Sequence, residues 1–259
     1  MISLAIAAVE NDFVMPTLVE DKVLIIEDGR HPLVERCCET FVPNSSKIDS
    51  EDGYVHIITG PNNSGKSVYM KQVGIIAYLA HICSFVPAKS ATIGFIDKIF
   101  SRIDTSSSSI SNLSTFARDA SQASRMLNKC SERSLLLIDE FGKGTYALDG
   151  CALLSSIIVN LDDRLSNRCP RAFISTHFHE MFTTKIVQET KIVKFQQIKI
   201  IKEQISSAKN SSDKLEELVF LYQLAPGLCL HSYGLYCASK FNVPEKVSMQ
   251  SICNCIVQL

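Results

Sequence analysis

The chain has 259 residues, of which 46% are hydrophobic and 20% charged, a balance that suits one large globular domain with a sizeable core. A formal net charge of −1 argues against a chain that grips a nucleic-acid backbone by itself. Ten scattered cysteines without zinc-site spacing read as reduced thiols of a nuclear or cytosolic protein rather than as a disulfide frame or a metal site.

The opening segment MISLAIAAVENDF lacks a basic leader and is followed by acids, so it is not read as a secretory signal. Residues 1–28 are expected to be the end of an upstream helical region and a linker, with the main domain over 29–246. The apolar run 74–86 contains His81 and is well short of the roughly 20 residues that cross a bilayer, so it reads as a buried helix and no membrane partner is expected.

Three continuous apolar runs, 55–59, 134–139 and 172–176, have the texture of central strands covered on both faces. Between them, 67–85, 115–129 and 150–165 have helical spacing. Such alternation predicts an α/β fold with a mainly parallel central sheet flanked by helices. From 185 to 217 the texture turns polar, and 206–213 is expected to be a flexible loop. LVFLYQLAPG (218–227) reads as a strand running into a turn, followed by a helix over 232–241.

The strongest local signal is Gly60-Pro61-Asn62-Asn63-Ser64-Gly65-Lys66-Ser67, which satisfies G-x-x-x-x-G-K-[ST] after a strand and before a helix. Glycines 60 and 65 let successive N–H groups face an anion, and the following helix points its positive end at the same place. Lys66 would then meet the β- and γ-phosphates of ATP, while the Ser67 hydroxyl can ligate Mg²⁺.

The strand 134–139 ends on Asp139, and Glu140 follows it. Unpaired buried carboxylates are costly, so acids at this strand end are expected to face a ligand crevice, Asp139 serving Mg²⁺ and Glu140 acting as general base toward water. His177, at the end of the third apolar strand, lines the same sheet edge and is a second catalytic candidate, whereas His179 reads as a loop residue.

Together GPNNSGKS, LSTF (113–116), LIDEFGKGT (137–145), Asp149-Gly150 and STHFHEM (175–181) resemble the C-terminal ATPase domain of the MutS family, an ABC-type P-loop ATPase. Blocks at 29–35, 84–88 and 232–235 extend the likeness, and Phe141-Gly142-Lys143 together with RHPLVE and TFVPN is most similar to the meiotic-recombination branch. The resemblance implies an adenine-stacking role for Phe41, a γ-phosphate role for Asn62, and partner-site roles for Ser114, Thr115 and Asp149, each nucleotide being shared between two subunits. Core packing remains an alternative for Phe41, a helix N-cap for Ser114, and a sheet brace for Arg30-His31-Pro32. It further implies a paralogous or identical MutS-type partner, duplex or junction DNA contacted through other domains, a nuclear location, and a C-terminal dimerisation element cut short over 247–259. A binding-only nucleotide switch and another ABC-type head are the competing readings.

Overall fold

A computed structural model of the chain describes residues 2–103, 115–205, 215–231 and 233. Its centre is a six-stranded sheet in which β4 (Val55–Thr59), β7 (Leu135–Asp139) and β8 (Arg171–Ser175) are buried at every position. With β6 (Ile99–Arg102), β9 (Val193–Ile205) and β10 (Leu215–Pro226) the strand order is β10-β9-β4-β8-β7-β6. Every neighbouring pair is parallel except β9–β10, an antiparallel ribbon on one edge. Burial on both faces explains why the three central strands read as unbroken apolar runs.

Helices α2 (Lys66–His81), α3 (Thr115–Lys129) and α4 (Ala147–Asp162) accompany this sheet. Met70, Val73, Ile76 and Ala77 give α2 an apolar face with no measurable exposure, which fixes the helix that follows the phosphate loop against the strands. None of the described helices is long and apolar enough to cross a membrane.

Three boundaries differ from expectation. Helix α2 stops at His81 rather than 85 because Cys83 turns into the left-handed region, with φ 58°, and the Ser84 N–H closes on Leu79 O at 3.0 Å. Val86 is thereby free to bridge Val14. Helix α4 starts a turn early, at Ala147, so Gly150 lies inside it rather than at its start. The polar stretch after 185 holds a long strand, β9, which pairs in parallel with β4 and antiparallel with β10 and buries Val193 and Ile198.

A second sheet has the order β1-β5-β2-β3, from Thr17–Val19, Ser90–Gly94, Leu24–Gly29 and Asn44–Ile48. Segment 1–28 does hold a helix, α1 (Ile2–Glu10), yet it also contains β1 and most of β2, which pair into this sheet. Arg171, fully buried at the start of β8, ties the two sheets together. Its guanidinium donates to the carbonyls of Val23 (3.0 Å), Gly94 (2.9 Å), Phe95 (2.8 Å) and Arg133 (2.8 Å), and burial pushes it down to about 10. The loop expected at 206–213, the helix at 232–241 apart from Tyr233, and the element at 247–259 lie outside the described residues.

Candidate active site

The loop after β4 turns through positive φ at Gly60 (153°), Asn63 (58°) and Gly65 (96°), and Gly65 is the left-handed residue from which α2 starts. Within it Ser64 Oγ donates to Pro61 O at 2.8 Å, and Lys66 Nζ folds back on the carbonyls of Gly60 (2.9 Å) and Pro61 (2.7 Å). Lys66 is only 4% exposed, and this burial pushes its ammonium down to about 8 against the opposing pull of Glu140 and Asp139. A buried cation resting on two carbonyls faces the same loop whose N–H groups suit an anion.

Asp139 and Ser175 are register partners on β7 and β8, and the Ser175 hydroxyl donates to the Asp139 carboxylate. Asp139 is 3% exposed. Glu140 then leaves the strand in the left-handed region, φ 51°, an uncommon conformation for a residue with a side chain, and its N–H is satisfied by Ser175 O at 3.1 Å.

Both Glu140 oxygens are engaged, Oε1 with His177 Nε2 at 2.7 Å and Oε2 with the Lys143 ammonium. The His177 hydrogen bond, followed by Lys143, pulls the carboxyl down to about 2 although burial opposes it. Glu140 is consequently ionised at neutral pH, the state in which a carboxylate accepts a proton.

A cavity of about 700 Å³ opens between these parts. It is lined by Asn62 to Ser67 of the loop, by Thr40, Phe41 and Val42, by Tyr69 and Gln72 of α2, and by Glu140 and Lys143. Ile198 and Tyr222, from the β9–β10 ribbon, complete the lining, Ile198 beside Gly60 and Tyr222 beside Gly65. Volume and mixed lining suit a nucleotide-sized ligand with one apolar and one highly polar end.

Residues 56–256, well over half of the chain, match the family described as MutS domain V. The chain belongs to the MutS family. It is 39% identical to "MutS protein homolog 5" of Saccharomyces cerevisiae over 92% of its length, and 39% identical to "DNA mismatch repair protein MutS" of Clostridioides difficile over 95%. A second "MutS protein homolog 5", from Caenorhabditis elegans, is 38% identical over 95% of the chain. Of these three relatives the chain spans 28%, 24% and 17% respectively.

In this MutS-family domain, the residues singled out from sequence fall into three groups. Phe41, Asn62, Asn63, Ser64, Gly65, Lys66, Ser67 and Glu140 line the cavity, while Gly60 and Pro61 stand behind it as acceptors for Lys66 and His177 bears on it through Glu140. Asp139, Thr115 and Asp149 do not line it. Asp149 is exposed in the first turn of α4, and Thr115 begins α3, where its Oγ1 would meet a Cβ on Gly144 at 2.5 Å. Ser114 lies outside the described residues.

Arg30, His31 and Pro32 do not line the cavity, and the side-chain contacts of Arg30 and His31 are local. Arg30 pairs with Glu35 at 2.8 Å and donates to Asn11 O, and His31 Nδ1 accepts the N–H groups of Leu33 and Val34. Sequence reasoning missed the lining residues Tyr222, Ile198, Tyr69 and Gln72, and it took Lys143 only as a mark of the family branch. Among the described residues there is no group of three or more His, Cys, Asp or Glu able to hold a metal ion. Ser67 lines the cavity and Asp139 is buried at the end of β7, both oxygen donors of the kind a hard cation such as Mg²⁺ takes.

Proposed function

We propose that the chain is the ATP-binding and ATP-hydrolysing domain of a MutS-like protein acting on mismatched or recombining DNA, on the meiotic side of the family. The observation that carries this reading is the meeting, in one cavity, of the GPNNSGKS loop and the Glu140–His177 pair.

In this reading Lys66 exchanges the carbonyls of Gly60 and Pro61 for the β- and γ-phosphates, which repay its burial with charge. Ser67 directly, and Asp139 through water, would hold Mg²⁺, which neutralises phosphate charge. Glu140 accepts a proton from the attacking water, and His177 fixes the carboxylate's orientation from the other side. Phe41 and Tyr222 offer flat faces to the base.

A second MutS-type subunit, paralogous or identical, would complete the site with its own Ser114, Thr115 and Asp149, and ATP would close the dimer. DNA, duplex or junction, would be contacted through other parts of a longer protein working in the nucleus, in keeping with the greater length of the relatives. A switch that binds without turnover has one observation in its favour, the engagement of both Glu140 oxygens.

Titration with a fluorescent ATP analogue and a phosphate-release assay test both readings. Lys66→Ala is expected to lose binding, and Glu140→Ala to keep binding while losing at least about a hundredfold in turnover. Equal affinity in wild type and Lys66→Ala would sink the nucleotide assignment. Nucleotide binding without phosphate release by the wild type would leave only the switch, and equal, measurable turnover in wild type and Glu140→Ala would remove Glu140 as the base.

A further inference from the structure

Tyr222 reaches the cavity from an irregular piece of strand. The β9–β10 ladder loses register between Phe220 and Leu224, so the backbone groups of this bulge lack strand partners there. Tyr222 itself has φ 52°, a conformation that an aromatic residue keeps only where its surroundings impose it.

The surroundings that impose it come from β3. Asn44 Nδ2 donates to Tyr222 O at 2.8 Å, and the Leu224 N–H donates to Asn44 Oδ1 at 2.7 Å. One side-chain amide thus supplies the donor and the acceptor that a neighbouring strand would have supplied. Asn44 is itself 8% exposed and anchored from the phosphate-loop helix, since Gln72 Nε2 donates to Asn44 O at 3.1 Å. At the other end of the bracket Tyr222 lies against the loop, where a Cβ on Gly65 would stand 3.4 Å from its Cδ1.

We infer that Asn44 is a positioning residue for the base end of the nucleotide site: it holds the β10 bulge so that Tyr222 forms a wall of the cavity. The inference rests on the ATP-binding reading above. Asn44 itself lines the cavity but meets no phosphate in this scheme, so its contribution is confined to affinity that depends on the base.

The test compares ATP with inorganic tripolyphosphate, which carries the phosphates and no base, by equilibrium binding to the 259-residue chain. Asn44→Asp keeps the acceptor for Leu224 and turns a repelling oxygen toward Tyr222 O, while Asn44→Ser reaches only one of the two partners. Both are expected to weaken ATP about tenfold, the scale of one lost base–aromatic stack, and to leave tripolyphosphate within about twofold. Tyr222→Ala should do the same, and Asn44→Asp added to it should change nothing further. A merely structural role would lower both ligands together and would add to Tyr222→Ala, which overturns the inference, as does an unchanged preference for ATP in either Asn44 variant. A wild-type chain that binds tripolyphosphate as well as ATP overturns it while the phosphate loop stands. Binding of neither ligand defeats the ATP reading and the inference with it.

Discussion

His177 Nε2 stands 2.7 Å from Glu140 Oε1, at the ends of adjacent parallel strands, so the imidazole and the carboxylate act as a unit on one rim of the cavity. The His177 hydrogen bond first, and then Lys143 on the other oxygen, hold the carboxyl at about 2, well below its ordinary 4.5.

The depressed value fixes a sign. Glu140 contributes stability that is present above about pH 4.5 and is lost as pH falls through about 2. Urea unfolding at about pH 6 and about pH 3 should show wild type losing more stability between the two than Glu140→Gln does. His177→Ala, which removes the largest cause of the shift, should also lose less, and its turnover should fall with nucleotide binding retained. Identical pH dependence in wild type and Glu140→Gln would show that the pair does not hold the carboxylate as described.

Lys66 titrates with the same sign in a higher window. Burial brings it down to about 8, so the folded chain gives up its proton earlier than the unfolded chain does, and stability should rise from about pH 8 toward 10.5. Bound phosphate restores the charge. ATP binding near pH 8 is then expected to take up a proton, and affinity to fall as pH climbs past 8. Calorimetry in buffers of different ionisation enthalpy reads the uptake. Lys66→Arg, always charged, should bind more weakly but with no pH dependence in that range.

The phosphate loop and the Asp139-Glu140 pair were legible because their constraints are local: strand, tight loop and helix follow each other within residues 55–81. His177 was legible by strand counting. Tyr222 was not, because its conformation is set by Asn44, 178 residues away, and no spacing in the sequence links them. Strands β1 and β2 were missed for the same reason, since their partner β5 lies far along the chain and Asp28 already turns at φ 46°. Lys143 was in view as a family mark, but only coordinates place its ammonium on Glu140.

Arg102 on β6 and Asp119 on α3 form an ion pair at 2.7 Å with side chains 13% and 4% exposed. Arg102 also donates to Asp139 O at 3.2 Å, so the helix that begins at Thr115 is tied to the strand that carries the acids. Arg102→Met leaves a buried carboxylate unpaired and should cost about 3–5 kcal/mol in denaturant unfolding. Adding Asp119→Leu should recover much of the loss, because two apolar groups replace the pair. A double variant no more stable than the single one would mean that packing, rather than the stranded charge, sets the cost.

Gly150 and Gly142 bring the first turns of α4 against the segment that follows Glu140. A Cβ on Gly150 would fall 2.7 Å from Gly142 O and 2.9 Å from Phe178 Cζ. The Phe178 ring can tilt away, but the Gly142 carbonyl is backbone, and Gly142 is itself at φ 87°. Gly150→Ala should therefore push α4 off this segment at a cost of about 1–3 kcal/mol, a melting shift of roughly 2–4 °C for each of those kcal/mol. Gly142 lies only two residues beyond Glu140, so the displacement reaches the carboxylate before it reaches the loop at 60–67. Turnover is expected to drop by more than nucleotide affinity does, whereas a general loss of fold would lower both in step. Thermal melts and paired measurements of affinity and turnover on Gly150→Ala and Gly150→Ser decide it. If Ala and Ser are tolerated in stability and rate alike, the helix has room to shift and the close approach of Gly142 and Gly150 does not hold Glu140 in place.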